Sequence, residues 1–303
     1  MAMKRLIYIL FAFATTYAVA QKPVVLSLSE SGADEIVENI WNNSTAPHSN
    51  GITEDESINE KCELFYTTQT DLYIYKADPA VATGQAVVVV PGGGYRKVCI
   101  EYDGFEVAKY LRSIGITAVV VKYRLPNGHR EIPLEDAQRA MRYLRTEGVK
   151  WGVNPAEVGI LGSSAGGYLA AHISTVTADA EKPAFAILVY PVISGTTRST
   201  HHGTFGNMLG LSRTDAEQEY YSLENRVSPT TPPTLLLLAD DDLTVPTISS
   251  TRYYKALKYH GVKAAMHIFP SGGHGWSGHN DYLYAEPNKE AIADWLKIQQ
   301  AGK

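Results

Sequence analysis

Between residues 86 and 269, short apolar runs recur, each too brief for a helix, with longer amphipathic stretches between most of them. The runs are Ala86–Val90, Ile116–Lys122, Val158–Leu161, Ala184–Tyr190, Thr234–Leu238 and Ala265–Phe269. A strand with apolar side chains on both sides needs cover on both faces, so these runs predict a sheet enclosed by helices. Helices are predicted at Phe105–Ile114, Leu134–Thr146, Ser164–Thr175, Ile248–Tyr259 and Asn288–Gln299. Such alternation implies an α/β fold whose central sheet, of about eight strands, is mostly parallel, with right-handed crossovers. The chain's 303 residues suffice for one large domain of this kind.

Upstream, Glu63–Thr68 and Leu72–Tyr75 alternate aromatic and polar residues, which predicts an antiparallel hairpin at a sheet edge. Residues 21–60 are polar and weakly patterned, and read as an extended arm lying on the domain. Lys4 and Arg5 precede an apolar run from Leu6 to Ala14, and Ala18-Val19-Ala20 fits a cleavage site for small residues. Residues 1–20 therefore read as a secretory signal peptide, too short to span a bilayer, with the mature chain starting at Gln21. That reading places the protein outside the cytoplasm, secreted or periplasmic. Residues 61–303 read as the catalytic domain, interrupted at about 192–231 by a Gly-, Thr- and His-containing insertion. The insertion is expected over the carboxyl edge of the sheet, where open α/β sheets bind ligands.

A net charge of -5, without a basic stripe, argues against a nucleic-acid partner. Two cysteines, Cys62 and Cys99, are too few for a disulfide framework or a cysteine-based zinc site, and read as free thiols. The histidines show no helical His-Glu-x-x-His or equivalent spacing, so neither a metal nor a cofactor is implied.

The run Val158–Leu161 stops at Gly162-Ser163-Ser164-Ala165-Gly166, and a helix-compatible segment follows. Strand, Gly-x-Ser-x-Gly and helix together describe a sharp turn holding the Ser164 hydroxyl above the sheet. A serine hydroxyl attacks only when a base removes its proton and a third group orients that base. Both residue types stand just past later strand ends. Thr234–Leu238 leads into Asp240-Asp241-Asp242, and Ala265–Phe269 leads into Gly272-Gly273-His274-Gly275. His274 is the candidate base. Only one of the three carboxylates can face its imidazole, and three in a row also suit a solvated turn or a cation site.

The run Ala86–Val90 ends in Pro91-Gly92-Gly93-Gly94-Tyr95. Glycine lets backbone N–H groups approach a carbonyl oxygen, so Gly93 and Gly94 are both candidate donors to an oxyanion, alongside the N–H of Ala165. A phosphate-binding loop is disfavoured, because neither Gly-x-Gly-x-x-Gly nor Gly-Lys-Ser/Thr is completed. Tyr95, His202 and Trp276 are candidate substrate contacts by position.

Pro-Gly-Gly-Gly-Tyr, Gly-Ser-Ser-Ala-Gly-Gly, Asp-Asp-x-x-Val-Pro and Gly-Gly-His-Gly, in this order and spacing, resemble the α/β-hydrolase esterases. More narrowly they resemble secreted bacterial acetyl-xylan-esterase-like proteins, over roughly residues 60–300. Proline before the three glycines, where lipases carry histidine, is shared with that group. The resemblance implies the fold and the chain order Ser164, acid, His274, and through Asp-x-x-Val-Pro it selects Asp242 as the acid. It assigns Asp136 and Arg139 structural contacts in the helix before the nucleophile strand. It further implies hydrolysis of small acyl esters, acetyl groups above all, on the sugars of an acylated oligo- or polysaccharide. A prolyl-oligopeptidase-type peptidase or a lipase would use the same three residues. A carbohydrate-binding pseudo-hydrolase would have no need to keep them.

Overall fold

The computed structural model describes residues 23–196 and 200–301; the signal segment read at residues 1–20 lies outside them. One sheet contains β1 (Glu35–Asn42), β2 (Gln69–Tyr75), β3 (Ala86–Val90), β4 (Thr117–Lys122), β5 (Val158–Ser163), β6 (Ala186–Val189), β7 (Thr234–Ala239) and β8 (Ala264–Phe269). Its eight strands lie in the order β1-β2-β4-β3-β5-β6-β7-β8. β2 pairs antiparallel with both β1 and β4, and every pairing from β4 through β3 to β8 is parallel. The α-helices of six or more residues are α1 (Val107–Ser113), α2 (Glu131–Glu147), α3 (Ser164–Val176), α4 (His202–Leu209), α5 (Asp215–Tyr220), α6 (Thr247–Tyr259) and α7 (Ala285–Ala301). Among the described residues no helix is long and apolar enough to cross a membrane.

Strands β3 to β7 are buried at every position, as their continuous apolar sequences require. Strand β8, at the end of the sheet, departs from that expectation: all of it except Phe269 is half-buried or exposed. The parallel arrangement brings the carboxyl ends of β3, β5, β7 and β8 to one edge of the sheet, where the four loops singled out in the sequence begin.

Two expectations upstream are corrected. Glu63–Phe65 and Leu72–Tyr75 do not form a hairpin with each other. Glu63–Phe65 pairs with Ser57–Ile58 and Val98–Cys99 in a separate ribbon, while β2 lies inside the main sheet. Nor is the whole of 21–60 an arm without structure of its own. Glu35–Asn42 forms edge strand β1, whose register shifts between Val37 and Trp41. Asn39 sits in that irregularity at φ +52, and its N–H donates to Asp71 Oδ1 over 2.7 Å. A buried ion cluster holds the segment down: Lys122 Nζ lies 2.8 Å from Asp71 Oδ2, 2.6 Å from Glu56 Oε2 and 2.8 Å from the Val24 carbonyl.

On α2, Asp136 is fully buried and accepts from the Arg124 guanidinium at 2.7 Å and from the Trp41 indole. Arg139 lies outside that network, its guanidinium 5.8 Å from the Trp41 ring centre. Cys62 and Cys99 are free and half-buried, and burial pushes the Cys99 thiol up to about 12.

Candidate active site

The turn between β5 and α3 is tight enough to exclude side chains on both flanks. A Cβ on Gly162 would lie 2.2 Å from the Gly166 carbonyl oxygen, and one on Gly166 would lie 2.1 Å from that of Val90. Between them Ser164 adopts φ +54, a left-handed conformation that costs a non-glycine residue on the order of 1–3 kcal/mol. The strained turn delivers the Ser164 Oγ to His274, whose Nε2 lies 2.8 Å away. On the other side of the ring, His274 Nδ1 lies 2.7 Å from Asp242 Oδ2. The second oxygen of Asp242 accepts the N–H groups of Thr244 and Val245, both at 2.8 Å. A carboxylate that faces Nδ1 holds the proton there and leaves Nε2 free to accept the serine proton.

The aspartate run divides by environment. Asp242 is buried, whereas Asp240 and Asp241 are exposed. Asp241 contacts the backbone: its Oδ1 accepts the Gly273 N–H at 2.7 Å, beside His274.

Opposite His274, the glycine turn after β3 is fixed at several points. Gly93 O accepts from Arg96 N and Lys97 N, and the Asn207 side chain donates to Gly94 O at 2.9 Å. The Gly92 N–H is occupied by Asp103 Oδ2 at 3.0 Å. The N–H groups of Gly93 and Gly94 have no acceptor among the described residues. Ala165, second residue of α3, offers a first-turn N–H that no intrahelical carbonyl can reach. These amides are of the kind that stabilise an oxyanion beside the serine hydroxyl.

Ser164, His274, Gly93 and Gly94 open into one cavity of about 540 Å³. The candidate substrate contacts are redistributed around it. Tyr95 is buried in the core, edge-on to Tyr123 and Tyr168, and points away from the cavity lining. Trp276 is also buried, stacked on Tyr282 and edge-on to Tyr190, so it supports the loop that carries His274 from behind. His202 is exposed, and its neighbour His201 lines the cavity instead. His201 caps α4: its Nδ1 accepts the Thr204 N–H at 3.2 Å. That bond leaves the proton on Nε2 of the neutral ring, and burial, with nearby His274, lowers the pKa of His201.

Asp103 and Tyr190 also line the cavity, although nothing in their sequence surroundings marks them. Burial raises the Asp103 carboxyl to about 6, against the opposing bonds from the Gly92 N–H and the Tyr190 hydroxyl. The Tyr190 ring packs 4.5 Å from that of His274. Among the described residues, no group of three or more His, Cys, Asp or Glu side chains is arranged to hold a metal ion.

Residues 87–278 match the profile of a family described as having the alpha/beta hydrolase fold. The chain belongs to the α/β-hydrolase family. An acetylxylan esterase from Xylanibacter ruminicola is 37% identical over 229 residues, 74% of this chain and 48% of the relative. An endo-1,4-beta-xylanase B from Butyrivibrio fibrisolvens is 30% identical over 264 residues, 82% of this chain and 39% of the relative. The chain thus spans less than half the length of these two curated relatives. A crystal structure of an acetyl ester-xyloside bifunctional hydrolase from Caldicellulosiruptor lactoaceticus superposes with a TM-score of 0.69 at 33% identity. That match covers 84% of this α/β-hydrolase and 94% of the other chain.

Proposed function

We propose that this α/β-hydrolase is a serine esterase that removes acetyl groups from xylan-type polysaccharide. The observation that carries the reading is the continuous line from Asp242 through His274 to Ser164, facing two unoccupied glycine amides. Relatives named as an acetylxylan esterase and as an acetyl ester-xyloside bifunctional hydrolase support the substrate class.

Ser164 Oγ attacks the ester carbonyl while His274 Nε2 takes its proton, and the amides of Gly93, Gly94 and Ala165 receive the oxyanion. The tetrahedral intermediate collapses, His274 protonates the departing sugar hydroxyl, and Ser164 is left acetylated. Water then enters, gives a proton to His274 and attacks the acetyl carbonyl. Acetate leaves, and the proton returns from His274 to Ser164. Asp242 stays ionised throughout and balances the imidazolium. His201, with its Nε2–H in the cavity, is placed to donate to a sugar oxygen beside the ester.

Residues 1–20 act as a secretory signal in this reading, which suits a polymer that does not enter the cytoplasm. Acetate release from acetylated xylo-oligosaccharides tests the substrate, with p-nitrophenyl acetate, butyrate and octanoate testing the acyl group. Release of acetate by wild type but not by Ser164→Ala is expected. A strong preference for octanoate would remove the acetyl assignment.

A further inference from the structure

Away from the serine, a second cleft of about 290 Å³ lies between the start of α2, the middle of α3 and the segment after α5. Its size is at the lower end for a ligand pocket, about 300 Å³, and suits one sugar-sized group. Two arginines stand on its walls. The Arg130 guanidinium lies 5.2 Å from the Tyr221 ring centre, and that of Arg226 lies 4.5 Å from the Tyr220 ring centre. Neither has an ion-pair partner among the described residues. Two carboxylates lie nearby. Glu131, which lines the cleft, pairs with His129 at 3.8 Å, and Glu217 closes the capping box of α5 with Thr214.

His172 supplies an independent observation. It is 6% exposed, lines the same cleft, and its ring makes no hydrogen bond among the described residues. Burial, helped by Arg226, lowers its pKa to about 4, so at neutral pH it presents an uncharged donor and an uncharged acceptor. A polar ring that opens onto the cleft without a protein partner is available to a hydroxyl there. Guanidiniums without an ion-pair partner select a planar anion with two oxygens, and the imidazole suits a hydroxyl.

We infer that this cleft binds a carboxylate-bearing sugar, a uronic acid unit of the glycan. Recognition of the carboxylate follows from the cleft alone; its belonging to the same polysaccharide rests on the esterase reading above. His172 follows Ser164 on α3 by eight residues, about 12 Å along the axis, a span that a short oligosaccharide covers. The two cavities have no lining residue in common, but hydrogen bonds tie the segments around them together. The Tyr168 hydroxyl donates to the Tyr221 carbonyl at 2.9 Å, and Asn207, which pins Gly94, accepts the Gly128 N–H at 2.7 Å.

The test is calorimetric titration of the wild-type chain with two unacetylated xylo-oligosaccharides of equal length, one carrying a glucuronate branch. Neither carries an ester, so binding is read without turnover. The acidic ligand is expected to bind at least about tenfold more tightly, the value of one charge-assisted pair. Arg226→Gln is expected to erase that preference while leaving p-nitrophenyl acetate turnover unchanged. Equal affinity for the two oligosaccharides, or a preference that survives Arg130→Gln and Arg226→Gln together, would overturn the proposal. Displacement of the acidic oligosaccharide by an equal concentration of inorganic phosphate would overturn the sugar assignment. Loss of the esterase reading would show separately, as absent p-nitrophenyl acetate turnover with the binding preference intact.

Discussion

The Tyr190 hydroxyl donates to Asp103 Oδ1 over 3.1 Å and accepts the Ser277 N–H over 2.8 Å. Asp103 in turn accepts the Gly92 N–H, so one buried tyrosine joins the glycine turn to the loop that carries His274. Tyr190 holds this place at φ +36, at the end of β6, with its ring against the imidazole. The geometry that aligns His274, Ser164 and the glycine amides is therefore maintained from underneath by Asp103 and Tyr190.

Asp103 gives that brace a pH dependence. Burial raises its carboxyl from 3.8 to about 6, so between those values the folded protein holds a proton that the unfolded chain has released. Stability from this residue therefore falls as pH rises through that window and levels off above about 6, by roughly 3 kcal/mol in all. Asp103→Asn lacks the titration. Urea midpoints at several pH values from about 4 to 7 should show wild type losing ground to the variant as pH rises. A constant difference would mean that Asp103 is not held as described.

The aspartate run offers a sharper contrast. Asp242→Asn leaves the shape intact but disturbs the proton on His274 Nδ1, and should lower kcat on the order of 10⁴-fold. Asp241→Asn weakens an exposed contact to the Gly273 N–H and should cost no more than about tenfold. The reverse ranking in p-nitrophenyl acetate kinetics would exclude Asp242 as the orienting acid.

Substitution within the glycine turn separates two neighbours. A Cβ on Gly93, at φ +128, would lie 2.1 Å from the Lys97 carbonyl oxygen, so Gly93→Ala must displace the turn. A kcat loss of about 10²–10³-fold is expected from removal of an oxyanion donor. Gly94→Ala, at φ +64, meets only His201 Cε1 at 3.5 Å. It should cost about 1–2 kcal/mol of backbone strain and much less rate. Equal rate losses would show that the turn is not held rigidly at Gly93.

Lys122 tests whether the N-terminal segment is integral to the fold. Lys122→Met would leave Asp71 and Glu56 buried without their cation and should destabilise the protein by about 3–5 kcal/mol, read from chemical denaturation. A loss below about 1 kcal/mol would place this cluster among ordinary surface pairs.

Much of this arrangement is legible in the sequence because strands covered on both faces must be continuously apolar. Where β3, β5, β7 and β8 stop, the loops that follow share one edge, and Ser164, Asp242 and His274 lie on those loops. Legibility fails where the signal is tertiary. Strand β1 is broken by Glu38-Asn39, which an edge strand tolerates and a period-of-two reading rejects. The choice between His201 and His202 depends on which residue caps α4, and Thr204 decides it through its N–H. Tyr95 and Trp276 stand beside the expected residues in sequence, yet their rings turn into the core. Asp103 and Tyr190 belong to no motif, and only the meeting of three loops gives them a role.

Acylation of Ser164 is the most direct consequence of the proposed chemistry. Wild type mixed with p-nitrophenyl acetate and quenched in acid within the first turnovers should carry the mass of one acetyl group, on the peptide containing Ser164. Asp242→Asn should accumulate that adduct more slowly, and Ser164→Ala should never form it. Acetate release by Ser164→Ala at the wild-type rate, or an acetyl adduct on another residue that forms and decays at that rate, would contradict the account.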